Sequence, residues 1–214
     1  MRTFVLLTVI VISSGLAIGQ PTIRQVDFKN FTYPLSGPLL GHSELKWLGG
    51  IQSELSNSKA IRLKNGENLK KVSSFMMDGH EYAQFEGFTL QSANFADVTG
   101  DGKEDAIVVL LYRSGGTQNT NYVYIYSMAD EKPKLLAYCH TGDRAYSGLY
   151  KVYGDHGELA FELDDPRKAI GDCCSTQFAR TRYKWDGSHF IPDGTKGYGP
   201  IEVRVGPDKR DHPE

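Results

Sequence analysis

From about position 81 onward, short apolar runs are separated by turn residues every 8–12 positions or so, the spacing of an all-β meander, sandwich or barrel. Residues 106–112 form an unbroken apolar run, as expected of a central strand buried on both faces. In the next run Tyr122, Tyr124 and Tyr126 alternate with Val123 and Ile125, so one face of that strand is lined by phenols. A turn at 130–133 leads into 135–139. Residues 149–153 are expected to pair with 159–163 across Gly154-Asp155-His156-Gly157. Residues 178–185 meet 189–191 across Asp186-Gly187, a dipeptide that favours a tight hairpin. Nearer the N-terminus, Ile23, Val26, Phe28 and Phe31 alternate with polar residues and predict a strand over 22–33. The text is then irregular to about residue 60, with one short helix predicted at 43–48. The class predicted is all-β and mainly antiparallel: a sandwich or open barrel/meander with little helix, of roughly eight to ten strands.

The ends of the chain read differently. Arg2 precedes an almost wholly apolar stretch at 4–12 and small residues at 13–19, the pattern of a secretory signal, too short to span a bilayer. Residues 1–19 are therefore expected to be a signal peptide, and 20–205 a single β-rich domain. Residues 206–214 are polar and are expected to be a flexible tail. Later apolar runs have only strand length, so no transmembrane span is expected after cleavage, and the localisation expected is secreted or periplasmic.

Charge narrows the partners. A formal net charge of -2 gives no electrostatic case for nucleic acid. The three cysteines, Cys139, Cys173 and Cys174, predict in an oxidising compartment one disulfide from Cys139 to Cys173 or Cys174. Asn30-Phe31-Thr32 is a glycosylation sequon, meaningful only in a eukaryotic source.

The sharpest chemical signal is the stretch 97–105, D-V-T-G-D-G-K-E-D. Calcium takes six to eight hard oxygens, which alternate positions of a tight loop can supply. Asp97, Thr99, Asp101 and Asp105 present side-chain oxygens at the first, third, fifth and ninth places, and Lys103 its backbone carbonyl. Gly102 falls where the chain bends sharply. The twelfth place is Val108 rather than a bidentate Glu, and a strand follows, so this is not an EF-hand. With Asn94-Phe95-Ala96 before it and Ala106-Ile107-Val108-Val109 after it, the loop resembles the calcium loop of FG-GAP and VCBS-type repeats. The resemblance covers about twenty residues, and Thr99 stands where those loops carry Asn or Asp. It implies calcium binding and an extracellular adhesion or scaffolding role rather than catalysis. Those families stack several repeats into a propeller, whereas this chain has a single copy.

A second signal is a charged strip. Arg180, Arg182 and Lys184 share one face of the strand 178–185. Such a strip suits a protein or an anionic polymer, unless it pairs with Glu158, Glu162 and Asp164 of the preceding strand. Arg113-Ser114-Gly115-Gly116-Thr117 lacks the ending of a phosphate-binding loop and reads as a hairpin connection. Asp143 and Arg144 are expected to pair locally.

Enzyme signatures are poor. Gly41-His42-Ser43-Glu44-Leu45 begins like a nucleophile elbow but ends in Leu. Cys139 and His140 are consecutive strand residues and face opposite ways. The six histidines lack metal-ligand spacing. The expected function is a secreted, non-catalytic β-domain with one structural Ca²⁺ loop, a binding or structural envelope or extracellular module. The alternatives are a secreted hydrolase whose site forms only in three dimensions, and a proteinaceous enzyme inhibitor presenting a loop such as 113–121.

Overall fold

Two antiparallel sheets lie face to face, and a third, thinner layer covers the far side of the larger one. The computed structural model describes residues 21–38, 40, 60–116, 118–144, 146–171 and 174–202. The expected signal 1–19, the helix at 43–48, the elbow-like 41–45, Cys173 and the tail 206–214 lie outside these residues. Thirteen strands are described, from β1 to β13 in chain order. Strands β3 (Glu67–Met77), β4 (His80–Ala96), β5 (Asp105–Ser114), β6 (Asn119–Ala129) and β7 (Lys132–His140) form the larger sheet in sequence order. Strands β8 (Leu149–Asp155), β9 (Glu158–Asp164), β12 (Gln177–Trp185) and β13 (Phe190–Pro200) form the smaller one, also a meander. The all-β antiparallel class read from the sequence is thus the observed one. Among the described residues, no helix is long and apolar enough to cross a membrane.

Central burial follows from composition. Strand β5 is buried from Asp105 through Leu110, as its unbroken apolar run requires. Ile107 and Val109 face the smaller sheet, where they meet Val123, Ile125, Leu159, Phe161 and Tyr183. Ala106, Val108 and Leu110 face the other way, among Tyr122, Tyr124 and Tyr126. The phenol-lined face of β6 is therefore core, with Tyr124 at 5.3 Å from Tyr138 and 5.1 Å from Tyr33, ring centre to ring centre. Burial pushes the hydroxyls of Tyr33, Tyr124, Tyr126 and Tyr138 well above the usual phenol range.

The layer over that face is the N-terminal segment, and here the expected strand at 22–33 is corrected. The segment forms two short 3-10 turns, Ile23–Gln25 and Phe28–Asn30, before β1 (Thr32–Pro34) pairs with β2 (Ala60–Arg62). Local side-chain bonds override the alternation. Gln25 accepts the Thr22 amide, and Asp27 accepts the Lys29 amide at 3.0 Å and the Asn30 side chain at 2.8 Å. The apolar residues still point inward. Ile23, Phe28 and Tyr33 are buried, and the Tyr33 hydroxyl donates to the Phe28 carbonyl at 2.7 Å.

The hairpins read from turn residues are present, β8 with β9 and β12 with β13. Between β9 and β12, β10 (Ala169–Ile170) and β11 (Cys174–Ser175) make a small side ladder. The expected disulfide from Cys139 is not formed, because Cys139 is a free thiol. It sits opposite Val123 on β7 and is buried between the sheets, while Cys174 lies exposed on the side ladder. Alternation settles the direction in which each sulfur points, and spacing along the chain does not.

Candidate metal centre

The Asp-rich loop joins β4 to β5 and is folded around its own carboxylates. Asp97 Oδ1 accepts the Gly100 amide at 2.6 Å and Oδ2 accepts the Gly102 amide at 2.9 Å. Asp101 Oδ1 accepts the Lys103 amide at 2.8 Å. Asp105 closes the loop from the first position of β5, its Oδ2 accepting the amides of Val98 at 3.0 Å and Thr99 at 3.1 Å. Gly100 and Gly102 have φ of 73° and 82° with open space where a Cβ would stand, so their need for glycine is conformational.

Two oxygens of this loop are left over. Asp105 is fully buried, yet its Oδ1 makes no hydrogen bond, and neither does the buried Thr99 Oγ1. Burial raises the Asp105 carboxyl above its usual value. The Ser127 and Thr99 hydroxyls stand near enough to oppose that rise without making a well-formed hydrogen bond, the bonded Val98 amide opposes it too, and the Asp101 charge adds to it. Buried polar atoms are nearly always satisfied, so a buried carboxylate with an unused oxygen invites explanation.

The five residues singled out in the sequence, Asp97, Thr99, Asp101, Lys103 and Asp105, thus share one compact loop. Their carboxylates do not already converge on one point. Among the described residues, no three of His, Cys, Asp or Glu are grouped closely enough to hold a metal ion.

The loop is also a joint between the sheets, which the sequence did not disclose. Val98 is fully buried in the core they share. At Gly154 on β8, a Cβ would come within 2.4 Å of Ala96 Cβ and 2.8 Å of Val98 Cγ1, and one at Gly157 would lie 3.8 Å from the Gly100 Cα. Gly154 thus lets β8 press on the loop, whereas Gly157 is at ordinary contact distance and its φ of 78° is what calls for glycine. On the outside, Arg24 forks Glu104 with two 2.5 Å bonds and lies 4.8 Å over the Phe95 ring, tying in the N-terminal layer.

The basic strip finds its partners inside the molecule. Arg180 bonds Glu162, Arg182 bonds Asp155 at 2.5 Å and lies 3.7 Å from Glu158, and Lys184 is 3.3 Å from Glu158. Asp164 stands opposite Phe178 instead. Asp143 and Arg144 pair locally at 3.5 Å. His140 stacks on Tyr122, on the face of β7 away from Cys139, and burial lowers its pKa. A hollow of about 210 Å³ beside Asp165, Arg167 and Tyr198 is smaller than the ~300–1,000 Å³ of typical small-molecule sites.

The chain matches none of the family models, curated proteins or solved structures with which it was compared.

Proposed function

We propose that the chain is a non-catalytic, exported β-domain whose β4–β5 loop is a structural clasp for one calcium ion. One observation above all supports this: Thr99 Oγ1 and Asp105 Oδ1 are buried in the same loop without a well-formed hydrogen bond, although the Ser127 and Thr99 hydroxyls lie near the carboxylate. Both are hard oxygens, one belongs to a carboxylate that burial disfavours as an anion, and a divalent cation suits both needs. The loop's remaining donors are the carboxylates of Asp97 and Asp101 and the Lys103 carbonyl. Asp97 and Asp101 now serve loop amides, so holding an ion requires them to share lone pairs or turn inward. When bound, calcium would supply the positive charge that Asp105 lacks at the joint of the two sheets. Its role is mechanical, and the affinity expected is about 10⁻⁴–10⁻³ M, suited to an extracellular module.

The test is thermal. Calcium at about 10 mM, on the order of ten times the expected dissociation constant, raises the melting temperature, and Asp101→Ala removes the rise. An unchanged melting curve in calcium overturns the proposal.

A further inference from the structure

One residue of the N-terminal layer grips the Asp-rich loop at both of its ends. Arg24 forks Glu104, the residue between Lys103 and Asp105, through two 2.5 Å bonds. The same guanidinium lies 4.8 Å over the ring of Phe95, two residues before Asp97. Phe28, from the second turn of that layer, adds a ring contact to Phe95 at 6.4 Å. Among the described residues, Arg24–Glu104 is the only ion pair that residues 21–34 make. The opposite side of the loop is closed by Gly154 on β8.

The pair is half-exposed, and an isolated pair of this kind contributes little stability. Its place gives it more to do. Asp97 and Asp101 now serve loop amides, so taking up an ion obliges the loop to reorder. Ordering a segment on binding costs conformational entropy, and fixing its ends beforehand removes part of that cost. A docked Arg24 therefore favours an occupied loop. Linkage makes the effect reciprocal. An occupied loop holds Glu104 still, and Glu104 in turn holds Arg24 and the turn Ile23–Gln25. Ile23 and Phe28 are buried against the phenol face on their own account, so the layer does not depend on Arg24 to fold.

We infer that Arg24 couples the N-terminal layer to the clasp: docking of the layer strengthens calcium binding, and calcium steadies the layer. This coupling rests on the calcium reading proposed above.

Charge and coupling predict opposite signs for Arg24→Gln. Removing a cation beside an acidic loop should by charge alone tighten calcium binding. Under the coupling, Arg24→Gln weakens it about three- to fivefold, read from calcium titrations of the melting temperature. In the parent, calcium slows hydrogen exchange at Gln25, Val26, Phe28 and Asn30, whose amides bond within that layer, by a similar factor. In Arg24→Gln and in Glu104→Gln it leaves those amides unchanged. Matching far-ultraviolet circular dichroism shows that each variant is folded. Calcium binding as tight or tighter in Arg24→Gln overturns the coupling while leaving the clasp intact, and so do parent amides that ignore calcium. A parent that binds no calcium overturns both.

Discussion

Arg180 places both Nε and a terminal nitrogen on a single oxygen of Glu162, at 2.8 and 2.6 Å, across the β9–β12 ladder. Glu162 is 3 % exposed and takes a further bond from the Tyr153 hydroxyl at 3.0 Å on the same oxygen. A buried carboxylate held in this way depends on its cation. Arg180→Met should cost about 2–3 kcal/mol, below the ~3–5 of a wholly buried pair because Arg180 keeps some solvent contact. Pairing it with Glu162→Leu should recover most of the loss. Urea denaturation of the single and double variants checks both statements.

Asp105 makes the opposite prediction. Its carboxylate is a burden in the calcium-free protein, so Asp105→Asn should raise the calcium-free melting temperature by roughly 2–5 °C at neutral pH. The same change should abolish any response to calcium. A group whose folded pKa is raised contributes its stability below its unfolded value, here 3.8, and loses it as pH rises through the folded one. The advantage of the Asn variant should therefore vanish as the melting pH is lowered below that value.

The phenol core predicts an alkaline limit. Tyr33, Tyr124, Tyr126 and Tyr138 hold their protons when folded well past the ordinary value of 10. Their contribution is intact below pH 10 and is lost as pH climbs beyond it, because the unfolded chain ionises first. Tyrosinate absorbance should rise in two stages, exposed phenols first and these four together with loss of circular dichroism.

Cys139 should be inert while the protein is folded. Burial pushes its thiol up to about 12, and the smaller sheet covers it. Peptide mapping after iodoacetamide treatment should find Cys139 unmodified in buffer and fully modified in denaturant.

At Gly154 the limit is space. A methyl group there would overlap Ala96 and Val98, so Gly154→Ala should destabilise by about 1–3 kcal/mol. Because those two residues flank the start of the Asp-rich loop, the variant should also bind calcium more weakly than the parent. Parallel melting and calcium titrations separate the two effects.

Much of the fold could be read from alternation and turns. The apolar run 106–112 became the buried β5, and the tyrosine ladder became the face of a core. Strand β3 was invisible for a physical reason: eight of its last nine residues are exposed on one face or the other, and no period of two survives. At 22–33 the apolar spacing was real but served two short turns, since the Gln25 and Asp27 side chains offer the backbone nearer partners than a strand would. The Asp-rich loop was legible because its chemistry is local. Its contact with Gly154 and Gly157 was not, because about fifty residues of chain separate the two turns and only the stacking of the sheets unites them.

The N-terminal layer carries a consequence for the order of events in folding. Every strand of the two meanders pairs with a neighbour in sequence, so each sheet can grow hairpin by hairpin. Ile23, Phe28 and Tyr33 instead rest on β5 and β6, nearly a hundred residues further on. A chain emerging from its N-terminus thus delivers the lid before the vessel exists. The lid can close only once β5 and β6 are in place, and until then a wall of tyrosine would stand open, the interval in which a chaperone would have most to hold.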